Sequence, residues 1–168
     1  MTDHNVLTMA DGPSVAVSRV IDATTAELWP LVTDIGLPAR FSDEFQQAEW
    51  IDGATAAAPG ARFEGTNENK YIGRWQVTCT IVEYEPERAF AWAVGDTDAP
   101  SASWRFTLEP VDGGTRLSQR VRLGPGPSGL TGAIERKPDR EHDIIVGRLT
   151  ALRANMQANL DGIAEIAG

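Results

Sequence analysis

The sequence predicts an α+β fold, a curved antiparallel sheet of about seven strands wrapped around one long C-terminal helix, with two short helices after the first strand. Three observations carry this. Most segments between residues 14 and 123 alternate apolar and polar side chains, the period of a half-buried strand. The links between these segments are short, as antiparallel neighbours require. From about Pro138 the period becomes helical and stays so to the end.

The elements follow in order. "PSVAVSRVID" reads as the first strand and "ATTAELWPLVTD" as a short helix. Thr24 or Thr25 serves as its N-cap, Leu28, Leu31 and Val32 form its apolar face, and Pro30 and Gly36 keep it short. "LPARFSDEF" reads as a second short helix or turn, with Asp34 before it as a cap, or alternatively as a carboxylate at the pocket mouth. Six strands follow: "QQAEWID", "ARFEGTNE", "RWQVTCTIVEYE", "RAFAWAV", "SWRFTLEP" and "GGTRLSQRVRL". "GPGPSGLTG" then reads as a loop. On the last helix Ile145, Leu149, Leu152, Met156, Leu160 and Ile163 recur at intervals of three and four and make one stripe. That stripe needs a partner, and the concave face of the sheet is the sizeable apolar surface available.

The strand "GGTRLSQRVRL" contains a local problem. Leu117, Val121 and Leu123 share one side, and Gln119 falls among them. Arg116, Ser118, Arg120 and Arg122 take the other side. An amide in a filled core must find partners or cost about 1–3 kcal/mol.

A chain of 168 residues has the size of one domain, read here as residues 1–168 with 1–12 as a flexible tail. A net charge of -9 disfavours nucleic acid and anionic membrane surfaces as partners. No apolar run reaches membrane-spanning length, so integral membrane association is not expected. The N-terminal stretch lacks the basic and apolar regions of a signal peptide. Cys79 is the lone cysteine, which rules out an internal disulfide and fits a reducing, cytoplasmic setting. It lies on an apolar parity with no basic neighbour and reads as an inert core residue. The two histidines are far apart and give no zinc pattern, so no metal is expected. Neither a G-x-S-x-G elbow nor a P-loop occurs. "GPGPSG" has two prolines without N–H donors and makes a poor phosphate cradle.

The element order and the segments "IDATTAELWPLVTDIG", "TIVEYEPERAFAWAV", "WRFTLEPVDGGTRLSQRVRL" and "IIVGRLTALRANMQANLDGI" together resemble the polyketide cyclase/dehydrase branch of the START-like (SRPBCC) superfamily. The resemblance spans Ser14 to Ile166. It implies a helix-grip fold with a deep apolar cavity between sheet and long helix, and no cofactor. The family holds aromatase/cyclases, lipid carriers and hormone receptors, so the resemblance implies a small hydrophobic ligand, whether aromatic, polyketide-like or lipid-like.

On the wall of such a cavity Gln119 would meet water or ligand. In "RFEGTNE", Phe63, Gly65 and Asn67 share the inward face, and Arg62, Glu64, Thr66 and Glu68 the outer one. Trp75, Phe90, Trp92, Trp104 and Phe106 lie on the apolar parity of their strands and supply an aromatic wall. Leu152 and Met156 lie in the helical stripe, with His142 and Asn159 close to it. The candidate ligand-binding residues are therefore Phe63, Asn67, Trp75, Phe90, Trp92, Trp104, Phe106, Gln119, Leu152 and Met156, a greasy site with few polar groups. Each has a structural alternative: Gln119 as an amide satisfied by its neighbours, Asn67 as a turn residue, the tryptophans as plain core. His142, beside Asp139 and Glu141, is the one catalytic candidate, as a general acid or base, and otherwise a surface histidine.

Three function classes remain in play. The first is a binding or carrier protein for a small hydrophobic molecule. The alternative is an enzyme of the cyclase/aromatase type, resting on positioning and on His142. An interaction module would need an exposed apolar patch. Residues 124–137 have the glycine–proline build of a gate over the cavity mouth, with Leu130 and Ile134 underneath. If they are a connector instead, the entrance is sought at the "NENKYIG" hairpin. Both a monomer and a homodimer are compatible with the sequence.

Overall fold

The structure, a computed structural model, describes residues 6–168. β1 (Ser14–Ile21) leads straight into α1 (Thr25–Val32). Thr24 is the cap, its hydroxyl accepting the Glu27 N–H at 3.1 Å, and Leu28 and Val32 are the buried face. The second short helix is a single 3-10 turn, Leu37–Arg40. It cannot lengthen, because the Ser42 hydroxyl takes the N–H groups of Glu44 and Phe45 and turns the chain into the next strand. Asp34 does not cap this turn. It accepts the Gly36 N–H at 3.0 Å, and Gly36 holds the cap position.

The remaining strands are β2 (Phe45–Ile51), β3 (Arg62–Asn69), β4 (Gly73–Glu85), β5 (Ala89–Val94), β6 (Ala102–Val111) and β7 (Gly114–Leu123). They form one seven-stranded sheet in the order β1-β7-β6-β5-β4-β3-β2, antiparallel throughout. Register breaks at Phe45/Gln47 and Ile81/Glu83 mark irregularities of the kind that add bend and twist. On β7, Thr115, Leu117, Gln119, Val121 and Leu123 are all buried, as the alternation requires. Thr66 departs from the expected parity. It lies on the outer face yet is 1% exposed, and its hydroxyl accepts from Gln76 Nε2 at 3.3 Å.

The stretch after β7 is not all loop. Gly129–Arg136 is a helix, α2, and Ser128 starts it. The Ser128 hydroxyl accepts the Leu130 N–H, and the Ser128 N–H donates to the Thr131 hydroxyl, so two free backbone donors are satisfied locally. A 3-10 turn, Pro138–Arg140, leads into α3 (Glu141–Ala167). Ile145, Leu152, Met156, Leu160 and Ile163 of α3 are buried. The helix backbone approaches β1 and β7 rather than the middle strands. Space is therefore left over the opposite half of the concave face.

Of the expected N-terminal tail, residues 1–5 lie outside the described residues. Residues 7–12 are tied down rather than loose. The Leu7 N–H donates to His142 Nδ1 at 2.9 Å and the Met9 N–H to Glu141 Oε1 at 2.8 Å. Met9–Asp11 form a 3-10 turn, and Met9 packs against the core.

Candidate functional site

The space between sheet and helix is a cavity of about 130 Å³. Its floor comes from inward positions of five adjacent strands: Phe63, Gly65 and Asn67 on β3, Val77 and Cys79 on β4, Trp92 and Val94 on β5, Trp104 on β6 and Gln119 on β7. Alternation puts every second residue there. Leu152, Asn155, Met156 and Asn159 of α3 form the roof. Pro38, Ser42, Glu44 and Phe45 form the remaining side.

The apolar wall is aromatic. Trp92 and Trp104 are paired in register on β5 and β6, and their rings stack with centroids 6.1 Å apart and planes 14° apart. Phe63 meets Trp92 edge-on at 5.8 Å. Phe90 and Phe106 do not line the cavity. They are 0% and 1% exposed and pack behind Trp92, at 5.6 and 6.0 Å. Trp75 is half-buried, paired in register with Asn67, and also away from the lining. Of the ten residues read as ligand-binding, the structure brings seven together at the cavity: Phe63, Asn67, Trp92, Trp104, Gln119, Leu152 and Met156.

Two polar groups meet inside. Asn159 Nδ2 donates to Gln119 Oε1 at 3.2 Å, with the residues 3% and 5% exposed. Among the described residues Asn159 Oδ1 has no hydrogen-bond partner. Sequence reasoning placed Gln119 on the inward side and Asn159 close to the apolar stripe. It had no means of pairing residues 40 apart across two elements.

The cavity edge carries an ion pair that sequence reasoning missed. Arg148 of α3 grips Glu44 with two hydrogen bonds, 2.7 and 2.8 Å, and Asn69 Nδ2 adds a third at 3.0 Å. Burial pushes the Glu44 carboxyl up. The Arg148 hydrogen bonds and charge, with Asn69, outweigh it and hold the group below its ordinary value. Glu44 is thus an engaged carboxylate. Cys79 is 3% exposed, and burial pushes its thiol up to about 12, which keeps it protonated and inert.

His142 lies away from the cavity. It sits in the first turn of α3 with Nδ1 occupied by the Leu7 N–H, a tether for the N-terminal segment. Residues 124–137 contribute nothing to the cavity lining. Leu130 packs against the core from α2. A larger depression of about 370 Å³ opens elsewhere on the surface, between the β1–α1 junction and the β6–β7 turn. Its walls are mainly Asp22, Thr24, Thr25, Glu27 and Pro110, with no aromatic group and no cation among them. The aromatic cavity under α3 is the better site on chemistry. Among the described residues no group of His, Cys, Asp and Glu is placed to hold a metal ion. No helix among them is long and apolar enough to cross a membrane.

The family described as "Polyketide cyclase / dehydrase and lipid transport" matches residues 12–167. Among solved structures, the chain is similar to the polyketide-cyclase-like protein Cgl2372 from Corynebacterium glutamicum. Identity is 25%, with 91% of this chain and 90% of that one covered and a TM-score of 0.63. It is similar in fold to the di-domain ARO/CYC BexL from the BE-7585A biosynthetic pathway, at 16% identity and a TM-score of 0.68, covering 92% of this chain and 50% of that one. It is also similar in fold to the protein TTHA0849 from Thermus thermophilus, at 17% identity and a TM-score of 0.61, over 91% and 95% of the two chains. No curated protein matches it.

Proposed function

The chain belongs to the polyketide cyclase/dehydrase and lipid transport family, and from that premise we propose that it binds a small hydrophobic molecule in the cavity between sheet and α3. The observation that carries the reading is the apolar wall of Phe63, Trp92, Trp104, Leu152 and Met156, with polar groups confined to a few points. A site of this build gains affinity from buried apolar area and orientation from its polar groups. Gln119 and Asn67 are the orienting groups of the floor.

The cyclase alternative needs a proton-transfer group at the reacting centre. The lining offers Glu44, which Arg148 keeps ionised and occupied, and Cys79, which burial keeps protonated. His142 is engaged at the N-terminal segment. The chemistry of the wall therefore supports binding over acid/base catalysis.

The test is a ligand-observed NMR titration with toluene, alongside native mass spectrometry for a retained molecule. Val94 lines the cavity and is nearly buried. Val94→Phe should fill the space and abolish saturable toluene binding, while thermal unfolding stays cooperative. Failure of the native protein to bind toluene saturably, or equal binding by Val94→Phe, would remove the cavity as a ligand site.

A further inference from the structure

Gln119 is 5% exposed, and the two ends of its amide are placed differently. Oε1 accepts from Asn159 Nδ2 at 3.2 Å. Nε2 makes no hydrogen bond to a described residue. Among those residues Asn159 Oδ1 alone is both unpartnered and shut off from water, so Gln119 Nε2, unpartnered as well, is not shut off. The space that Gln119 lines is the cavity, and Nε2 opens on it. The bond to Asn159 fixes the amide, which leaves two N–H donors on the cavity side before anything binds.

The other polar groups of the lining tilt the same way. Ser42 Oγ already accepts the Glu44 and Phe45 N–H groups, so its own proton is what it has left to give. Glu44 takes two hydrogen bonds from Arg148 and one from Asn69. The amides of Asn67 and Asn155 offer donors as well as acceptors. Donors are therefore in surplus. Charge offers an occupant nothing to match. Arg148 brings a guanidinium to the cavity edge, but it grips Glu44, and the two form a neutral pair that an ionic head would have to part. Size narrows the occupant further. A space of about 130 Å³ is close to the roughly 150 Å³ that holds one benzene ring in an apolar protein cavity. The stacked Trp92 and Trp104 offer that ring an aromatic wall.

Resting on the binding reading above, we propose that the cavity takes an uncharged single-ring compound bearing an acceptor oxygen without a proton, an aryl ketone being the simplest case, and that this oxygen accepts from Gln119 Nε2. A hydrocarbon of the same shape fills the same space and leaves the Gln119 donors without a partner.

The experiment compares three probes by NMR titration at pH 7: acetophenone, benzoate, and α-methylstyrene, in which a CH2 group replaces the carbonyl oxygen of acetophenone. Acetophenone should bind more tightly than α-methylstyrene by about tenfold, and benzoate more weakly than acetophenone. In the double variant Gln119→Leu/Asn159→Leu, which removes the donor and leaves neither amide orphaned, the order of ketone and hydrocarbon should invert. Infrared spectroscopy supplies a second readout. The carbonyl stretch of acetophenone bound to the native protein should lie below its value in cyclohexane, as a hydrogen-bonded carbonyl requires, and should return towards that value in the double variant. Equal affinities for ketone and hydrocarbon in the native protein, a carbonyl stretch unmoved from cyclohexane, or a ketone preference that survives in the double variant would overturn the Gln119 assignment. So would tighter binding of benzoate than of acetophenone, which would make Arg148 the recognising group. In each of these cases saturable α-methylstyrene or toluene binding still upholds the cavity as a site. If neither the three probes nor toluene bind saturably, the binding reading falls, and this inference with it.

Discussion

Gln119 sits between Leu117 and Val121 on the buried face of β7, with Val17 and Phe106 as its register partners on either side. An amide in that setting stays only if something across the core meets it, and Asn159 is that partner. Gln119→Leu strands Asn159 Nδ2, and Asn159→Leu strands Gln119 Oε1, so each single change should lower stability by about 1–3 kcal/mol. The double change leaves no orphan and should lie well above the sum of the two, near the native value, in urea unfolding. Strictly additive losses would mean that the two amides act independently. The alternation of β7 was enough to place Gln119 inside, and the spacing of α3 was enough to put Asn159 near the stripe. Their bond, and the grip of Arg148 on Glu44 across 104 residues, were not legible. No local pattern encodes which polar group of one element meets which of another. His142 shows the opposite error. Its place near the apolar stripe suggested the cavity, whereas its imidazole is spent on the N–H of Leu7.

Among the elements, the β6–β7 hairpin sets the position of everything around it. Its turn, Asp112–Gly113, carries Gly113 at φ 90°, and β7 then opens with Gly114 at φ 133°. The two glycines differ in their surroundings. A Cβ on Gly113 would meet nothing within 4 Å. One on Gly114 would stand 2.0 Å from the carbonyl oxygen of Ile21, where β1 hands over to α1. Gly113→Ala should therefore cost only its backbone strain, about 1 kcal/mol, and Gly114→Ala more, roughly 3 kcal/mol, because the β1–α1 junction must move as well. Melting temperatures measured side by side decide it, and equal losses would show that the junction yields freely. All seven strands and α3 were legible from period, β-branched and aromatic content and the turns between them. α2 was not, because glycine and proline dominate its approach. The signal that finds it is Ser128, three residues before Thr131, a capping pair set in a stretch that otherwise reads as loop. The residues lining one side of the cavity, from Pro38 to Phe45, have no periodicity and so gave no sign of facing inward.

At the scale of the whole molecule, charge and cavity are linked through acid. The chain carries a net charge of -9, and three of its carboxyls are held below their ordinary values. Arg105 does this for Glu83, and Arg19 with Gln157 for Asp161, at exposed sites where such pairs contribute little. Glu44 is different. Its side chain is 13% exposed, and its partner Arg148 ties the start of β2 to the first third of α3 at the edge of the cavity. A carboxyl whose pKa is lower in the folded chain than in the unfolded one stabilises the fold above the unfolded value of about 4.3. That stabilisation drains away as pH falls through the folded value. Stability should accordingly be flat near neutrality and decline below about pH 4.5, by up to about 1.4 kcal/mol per pH unit for each such group. Glu44→Gln should lower stability at pH 7, since Arg148 loses its charged partner. It should also flatten the acid limb more than Glu83→Gln does. If the two variants flatten it equally, Glu44 is no better coupled to folding than a surface carboxylate, and the Arg148 grip is not what holds α3 against this edge of the sheet.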